Sequence, residues 1–230
     1  MRRGSRASAV GIALGAMLTA APASADLVLN QAVVDLAPDT PPRFDIDASN
    51  TGKERIYVVA EPAEIVAAGT LAERRVSNPD PEALGLLVTP QKMILEPGEH
   101  KLVRIASIVP RSAVERIYRV TIKPVAGDVT APITALKVLV GYDVLVIVRP
   151  TAMTGSVTGT RRGNTLVLTN SGTSNVEIYQ GKQCDARGAD CKPLAARRLY
   201  AGASFEQPID PARPAEYRIK TGGTVSEKRF

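Results

Sequence analysis

Few side chains in this 230-residue chain could do covalent chemistry, and their spacing argues against most of it. His100 is the one histidine, and it directly follows the turn Glu96-Pro97-Gly98-Glu99. No G-x-S-x-G elbow, phosphate-cradling glycine loop or cluster of metal ligands occurs. Asp45 and Asp47 stand two apart in a strand-like pattern and so share one face, an ordinary arrangement on a solvated sheet. Cys184 and Cys191, with Asp185, Arg187-Gly188 and Asp190 between them, read as the two arms of a loop or hairpin tip. Their spacing is not the C-x-x-C of a redox enzyme, and His100 is far away in sequence. In an oxidising compartment the pair is expected to form a local disulfide. These residues point away from an enzyme and from any metal or cofactor.

The compartment follows from the first 25 residues. Arg2, Arg3 and Arg6 precede an uncharged, mostly apolar run, Ala7–Ala20, and Ala23-Ser24-Ala25 supplies small residues where a signal peptidase reads. That is the pattern of a cleaved export signal, and the run is short for a membrane span. Leu136–Val148 is also apolar but carries Lys137 and Asp143, so no insertion into a membrane is expected. The leader takes three arginines and no acid from a formal net charge of +6, which leaves +3 on residues 26–230. The remaining cations are scattered singly or in pairs, unlike the clustered, aromatic-interleaved stripe that nucleic acid requires.

About 205 residues then form one large unit or two ordinary ones. Strand patterns recur without a long helix between them: Leu27–Leu36, Arg43–Ala48, Arg55–Pro62, Gly85–Pro90, Gln91–Leu95, Lys101–Ile108, Glu115–Val125 and Thr134–Arg149. Residues 61–83 are the weakest region, either a short helix or a loose loop. A second set covers Thr165–Thr169, Ser174–Gln180, Leu194–Tyr200, Ser204–Gln207 and Ala215–Lys220. This spacing predicts antiparallel sandwiches, and Pro150 marks the boundary because proline cannot continue a central ladder. Thr134–Pro150, TALKVLVGYDVLVIVRP, is the longest β pattern, with Leu136, Val138 and Val140 on one face. A strand needs only about six residues to cross a sandwich, so this one bends between sheets or runs past its neighbours. It is either a long core strand or an exposed apolar edge that another chain pairs with.

The order of several motifs resembles the periplasmic chaperones of pilus assembly, in a divergent archaic or alternative branch. LLVTPQKMILEPGEHKLVRI (Leu86–Ile105), ERIYRVTIKPV (Glu115–Val125) and the strand ending V-R-P match the first domain, and GNTLVLTNSGTSNVEI (Gly163–Ile178) opens the second. The resemblance implies two immunoglobulin-like β-sandwiches in a boomerang: residues 26–149, with donor strand 134–148, and residues 150–230. It implies an all-β, non-catalytic periplasmic protein that fills the open groove of a pilus subunit with Leu136, Val138 and Val140, then passes it to an outer-membrane usher. Arg104, Glu115 and Arg149 match the family's structural inter-domain trio. The usual carboxylate-anchoring pair falls at Val33 and Leu145, neither of which can bind a carboxylate, so Arg104, Arg116 and Lys123 become the candidate anchors. The same donor-strand edge would allow self-association. Two other readings stand beside this one. An exported adhesive or fibre component would usually be one incomplete domain, and a small-ligand or glycan module would show aromatic platforms, whereas this chain has nine aromatics and no Trp.

Overall fold

The computed structural model describes residues 26–125 and 139–230. The leader, Leu136 and Val138 lie outside them, as does the connection before the donor strand. Eighteen strands and one four-residue helix make up the described chain. The first set is β1 (Leu27–Leu29), β2 (Val33–Leu36), β3 (Arg43–Asn50), β4 (Ile56–Val66), β5 (Arg74–Val76), α1 (Pro81–Leu84), β6 (Leu86–Thr89), β7 (Lys92–Leu95), β8 (His100–Ser107), β9 (Arg116–Val125) and β10 (Tyr142–Val148). The second is β11 (Val157–Arg162), β12 (Thr165–Asn170), β13 (Val176–Cys184), β14 (Cys191–Leu194), β15 (Arg197–Leu199), β16 (Ser204–Pro208), β17 (Glu216–Thr221) and β18 (Thr224–Arg229).

These strands build two β-sandwiches. In the first, a sheet ordered β1-β3-β8-β6 faces one ordered β2-β10-β9-β4-β5, with β7 also on β4. In the second, β11-β12-β16 faces β14-β13-β17-β18, with β15 also on β13. Each encloses its own core. Leu27, Ile46, Leu95, Ile105, Tyr118 and Val146 are buried in the first, and Leu166, Leu168, Ile178 and Tyr217 in the second. Alternation sets which side chains enter: Val144, Val146 and Val148 of β10 all belong to the first core.

Two segments differ from the sequence reading. Leu27–Leu36 was expected as one strand, yet it breaks at Asn30–Ala32. Its halves join opposite sheets, β1 antiparallel to β3 and β2 parallel to β10. The break is pinned by Asn30, whose Oδ1 accepts from the Asp47 amide at 3.0 Å. Arg55–Pro62 also runs on to Val66. Pro62 is tolerated because its nitrogen points away from β9, to the side where Ala60 donates to the Gln91 carbonyl, and on that side β7 pairs only with Ile56–Val59 and β5 only with Glu64–Val66. The weak region 61–83 holds the end of β4 and all of β5 as well as the start of α1, which Asp80 caps through the Glu82 amide and Gly85 ends at φ 80°.

The two sandwiches share one internal device. Asn50 and Asn170 each end a strand, are fully buried, and are followed by a small hydroxyl residue and glycine. Asn50 Nδ2 donates to the carbonyls of Glu54 and Leu95, while its Oδ1 accepts from the Gly52 amide. Asn170 repeats the arrangement on Ser174, Leu199 and Gly172. Each carboxamide thus knits a turn to a distant strand through three hydrogen bonds, and Asn170 Oδ1 accepts a fourth from the Ser156 amide at 3.4 Å. At the far end of the second sandwich, Cys184 and Cys191 are joined by a disulfide across the β13–β14 hairpin.

Asn170→Ala leaves two buried carbonyls and an amide without partners, which costs about 3 kcal/mol at the usual 1–3 kcal/mol for stranding such groups. Urea unfolding followed by a probe in the second sandwich should show that loss as a lower midpoint.

Candidate binding cleft

The sheet that contains β10 turns its outer face toward the second sandwich. Alternation sends Leu145 and Ile147 to that face, opposite to the valines that fill the core. They are still only 6% and 1% exposed, because Ala68 and Ile117 pack beside them and Tyr200 of the second sandwich packs against the same cluster. Parallel pairing sets Val33 directly beside Leu145. The two positions where the resemblance implies cations are therefore neighbours, and both are aliphatic.

A polar junction lies at the end of β10. Arg149 donates from Nε and Nη2 to both oxygens of Asp35, the latter at 2.7 Å, and from Nη1 to Ser174 Oγ at 2.6 Å. Glu115, whose side chain is 1% exposed, accepts from Asn175 Nδ2 at 2.6 Å and Ser174 Oγ at 3.1 Å, and lies 3.8 Å from Arg149. Burial opposes charge on Arg149, but the hydrogen bonds and charge of Asp35, with Glu115 and Glu177 beyond, hold the guanidinium above its ordinary range. Arg111 adds three hydrogen bonds to the carbonyls of Leu36, Ala37 and Arg149. The residues that tie the two sandwiches are thus Arg149, Glu115, Ser174 and Asn175, braced by Asp35 and Arg111.

The other residues singled out in the sequence are dispersed. Arg104 lies on β8 in the opposite sheet and forms a bidentate pair with Asp45, both contacts at 2.8 Å. Arg116 is half-buried, paired twice with Glu64 at 2.8 Å and donating to the Leu84 carbonyl. Lys123 meets Glu61 at 2.8 Å. All three candidate anchors already have a carboxylate. Asp47 lies 3.1 Å from His100. Val140, just ahead of β10, is 47% exposed and Leu139 is 37% exposed. Asp35, Arg111 and Asn175 carry no local signal in the sequence, because only the fold brings them to Arg149 and Glu115, through the β2–β10 register and the turn after β12.

Near the start of β10, Asp143 accepts from Arg75 at 2.7 Å and from Thr121 at 2.9 Å, and Arg119 donates to its carbonyl. Burial raises the Asp143 carboxyl, but these hydrogen bonds and the charges of Arg75 and Arg119 outweigh it and hold the group below its ordinary value.

No protein-family model matches the chain. Among curated proteins it is similar to a CS1 fimbrial subunit of Escherichia coli, 29% identical over 168 residues, which are 67% of this chain and 69% of that one. It is also 26% identical over 166 residues to a CFA/I fimbrial subunit of the same organism, 67% and 68% of the two chains. Among solved structures it matches the class 5 fimbriae chaperone CfaA with TM-score 0.70 at 22% identity, covering 88% of this chain and 98% of that one. A chain of the CFA/I chaperone–tip adhesin complex gives 0.68 at 21%, covering 89% and 98%. One from the CsuC–CsuE pre-assembly complex of Acinetobacter baumannii gives 0.61 at 12%, covering 89% and 98%. The chain has the two-sandwich fold of the fimbrial chaperones. The folds coincide over almost the whole of those chains, so the cleft described above lies between the same two sandwiches.

Two outcomes follow from the junction and from Asp143. Arg149→Ala strands the buried Glu115 carboxylate, and removing one partner of such a pair costs about 3 kcal/mol. The two sandwiches should then melt separately in calorimetry. Asp143 titrates lower in the folded chain, so its contribution is complete above the unfolded carboxyl's pKa of about 4 and is lost as pH falls through the lower folded value. Amide protection at the start of β10, corrected for the intrinsic pH dependence of exchange, should fall below that range, and Asp143→Asn should lower it at neutral pH while abolishing the acid step.

Proposed function

We propose that the chain is an exported periplasmic chaperone that captures fimbrial subunits by lending them the strand leading into β10, and then delivers them to an outer-membrane usher. One observation carries this reading. The row Val144, Val146 and Val148 fills the first core, and its period-two continuation reaches Val140, which is 47% exposed. An apolar row that outruns its own sandwich is suited to completing another, where main-chain hydrogen bonds and alternate side chains act together. Leu136 and Val138 extend the row in sequence. The fold shared with chains from chaperone–subunit complexes supports the same reading. The separate cores and the segment between Val148 and Val157 support a domain boundary at Pro150. The action is one of binding, without a catalytic step, and self-association would use the same strand.

The names of the curated relatives favour a second reading, a component of the fibre itself. Against it, β10 sits between β2 and β9, so the first sandwich supplies its own last strand.

Co-expression with candidate fimbrial subunits separates the two. The chaperone reading requires one-to-one copurification, protection of the subunit from proteolysis, and absence of this chain from the finished fibre. Val140→Asp should leave the free protein folded and reduce capture at least 100-fold, since a charge entering an apolar groove costs several kcal/mol. Capture that survives this change rules out the lent strand.

A further inference from the structure

Three consecutive residues hold the start of β10, each to a different neighbour. Gly141 lies so close to β9 that a Cβ there would stand 2.7 Å from the Lys123 Cβ and 3.3 Å from its Cα. The obstacle is the root of a side chain and its backbone, so position 141 takes a side chain only if β9 shifts. Tyr142 packs against the first core, and its hydroxyl donates to the Leu27 carbonyl of β1, in the opposite sheet, at 3.1 Å. Asp143 stands directly opposite Thr121 of β9 and accepts from its hydroxyl at 2.9 Å. Arg75 reaches in from β5, at the far edge of the sheet, and donates to Asp143 Oδ1 at 2.7 Å and to Thr121 Oγ1 at 2.8 Å. Arg119 donates to the Asp143 carbonyl at 3.0 Å, and its Nε lies 3.8 Å from the carboxylate. Immediately outward, Val140 and Leu139 are exposed. The held and the exposed stretches of the chain meet within one residue.

These contacts are poorly placed to stabilise the sandwich as a whole. The Arg75 and Asp143 side chains are 43% and 45% exposed, and ion pairs open to water add little to global stability. Fraying at the end of a strand costs equally little, so contacts of this size decide where the strand begins to leave its sheet. The two apolar rows fix Val144–Val148 without help from Arg75. What Arg75, Thr121 and Asp143 fix is the residue just before those rows begin.

We propose that Gly141–Asp143 form a collar that sets where, and in which direction, the lent strand leaves the first sandwich, with Arg75 as its positioning residue. The proposal rests on the capture reading above and deepens it, since a strand that leaves in a fixed direction loses less freedom when a partner pairs with it.

Pulsed electron-spin distance measurement on the free full chain tests the collar. Nitroxides are attached through Val140→Cys and Leu102→Cys, with the Cys184–Cys191 disulfide left intact. The distance distribution should be narrow in the otherwise unaltered chain and at least twice as wide in Arg75→Ala, with the melting temperature unmoved. Arg75→Lys restores the charge beside Asp143 and should restore most of the narrowness. Arg55→Ala breaks a comparably exposed pair with Glu96, away from β10, and should leave the width as it was. In co-expression with a candidate fimbrial subunit and without labels, Arg75→Ala should yield several-fold less complex than the unaltered chain, and Arg75→Lys should recover it. An unchanged width in Arg75→Ala overturns the collar while the unaltered chain's capture still stands. Equal broadening in Arg55→Ala overturns it too, and so does full capture by an Arg75→Ala chain whose distribution has widened. If the unaltered chain captures no candidate subunit, the capture reading fails and this proposal with it.

Discussion

The fold depends on one strand whose last five residues, Val144–Val148, have no solvent face. Along β10 the even-numbered valines complete the first core while Leu145 and Ile147 form the floor of the cleft. Burial of such side chains contributes about 1.5–3 kcal/mol each, so neither face can be yielded without loss. A one-residue slip would exchange the two rows, which fixes the register against both β9 and β2. That fixed register delivers Arg149 to the domain junction and starts the apolar row outward at Val140.

The junction then converts strand register into domain geometry. Arg149 and Glu115 are nearly inaccessible to solvent, and their charges are offset by Asp35, Ser174 and Asn175 rather than by water. Such a buried network adds little net stability, but each member is costly to remove. Tyr200 packing against Ile117, Leu145 and Ile147 adds an apolar contact beside it. A cleft held at two points is set before any partner arrives, which lowers the ordering cost of binding.

Much of this was legible in the sequence because it depends on local periodicity. The alternation in Val144–Val148, the Pro-Gly turn at Glu96–Glu99 and the asparagine ending the strand at Asn170 are written in adjacent residues. The pairing of Cys184 with Cys191 needs only a hairpin between them. What stayed hidden depends on residues that meet only after the sheets form. Asp35 reaches Arg149 through a parallel pairing between the second and last strands of a domain, and no local signal announces it. The anchor candidates Arg116 and Lys123 looked free because their partners Glu64 and Glu61 lie on β4, 52 and 62 residues earlier, and meet them only through the β4–β9 register. The split of Leu27–Leu36 between two sheets has the same origin, since both halves keep a strand's composition.

The central claim is that the segment entering β10 becomes a strand of the partner. Its most direct test is a photo-crosslinking residue placed at position 140 and, as a comparison, at Leu102, which is 58% exposed on the opposite sheet. With a co-expressed fimbrial subunit, the account predicts a one-to-one adduct from position 140 and none from position 102. Adducts from position 102 alone would contradict it.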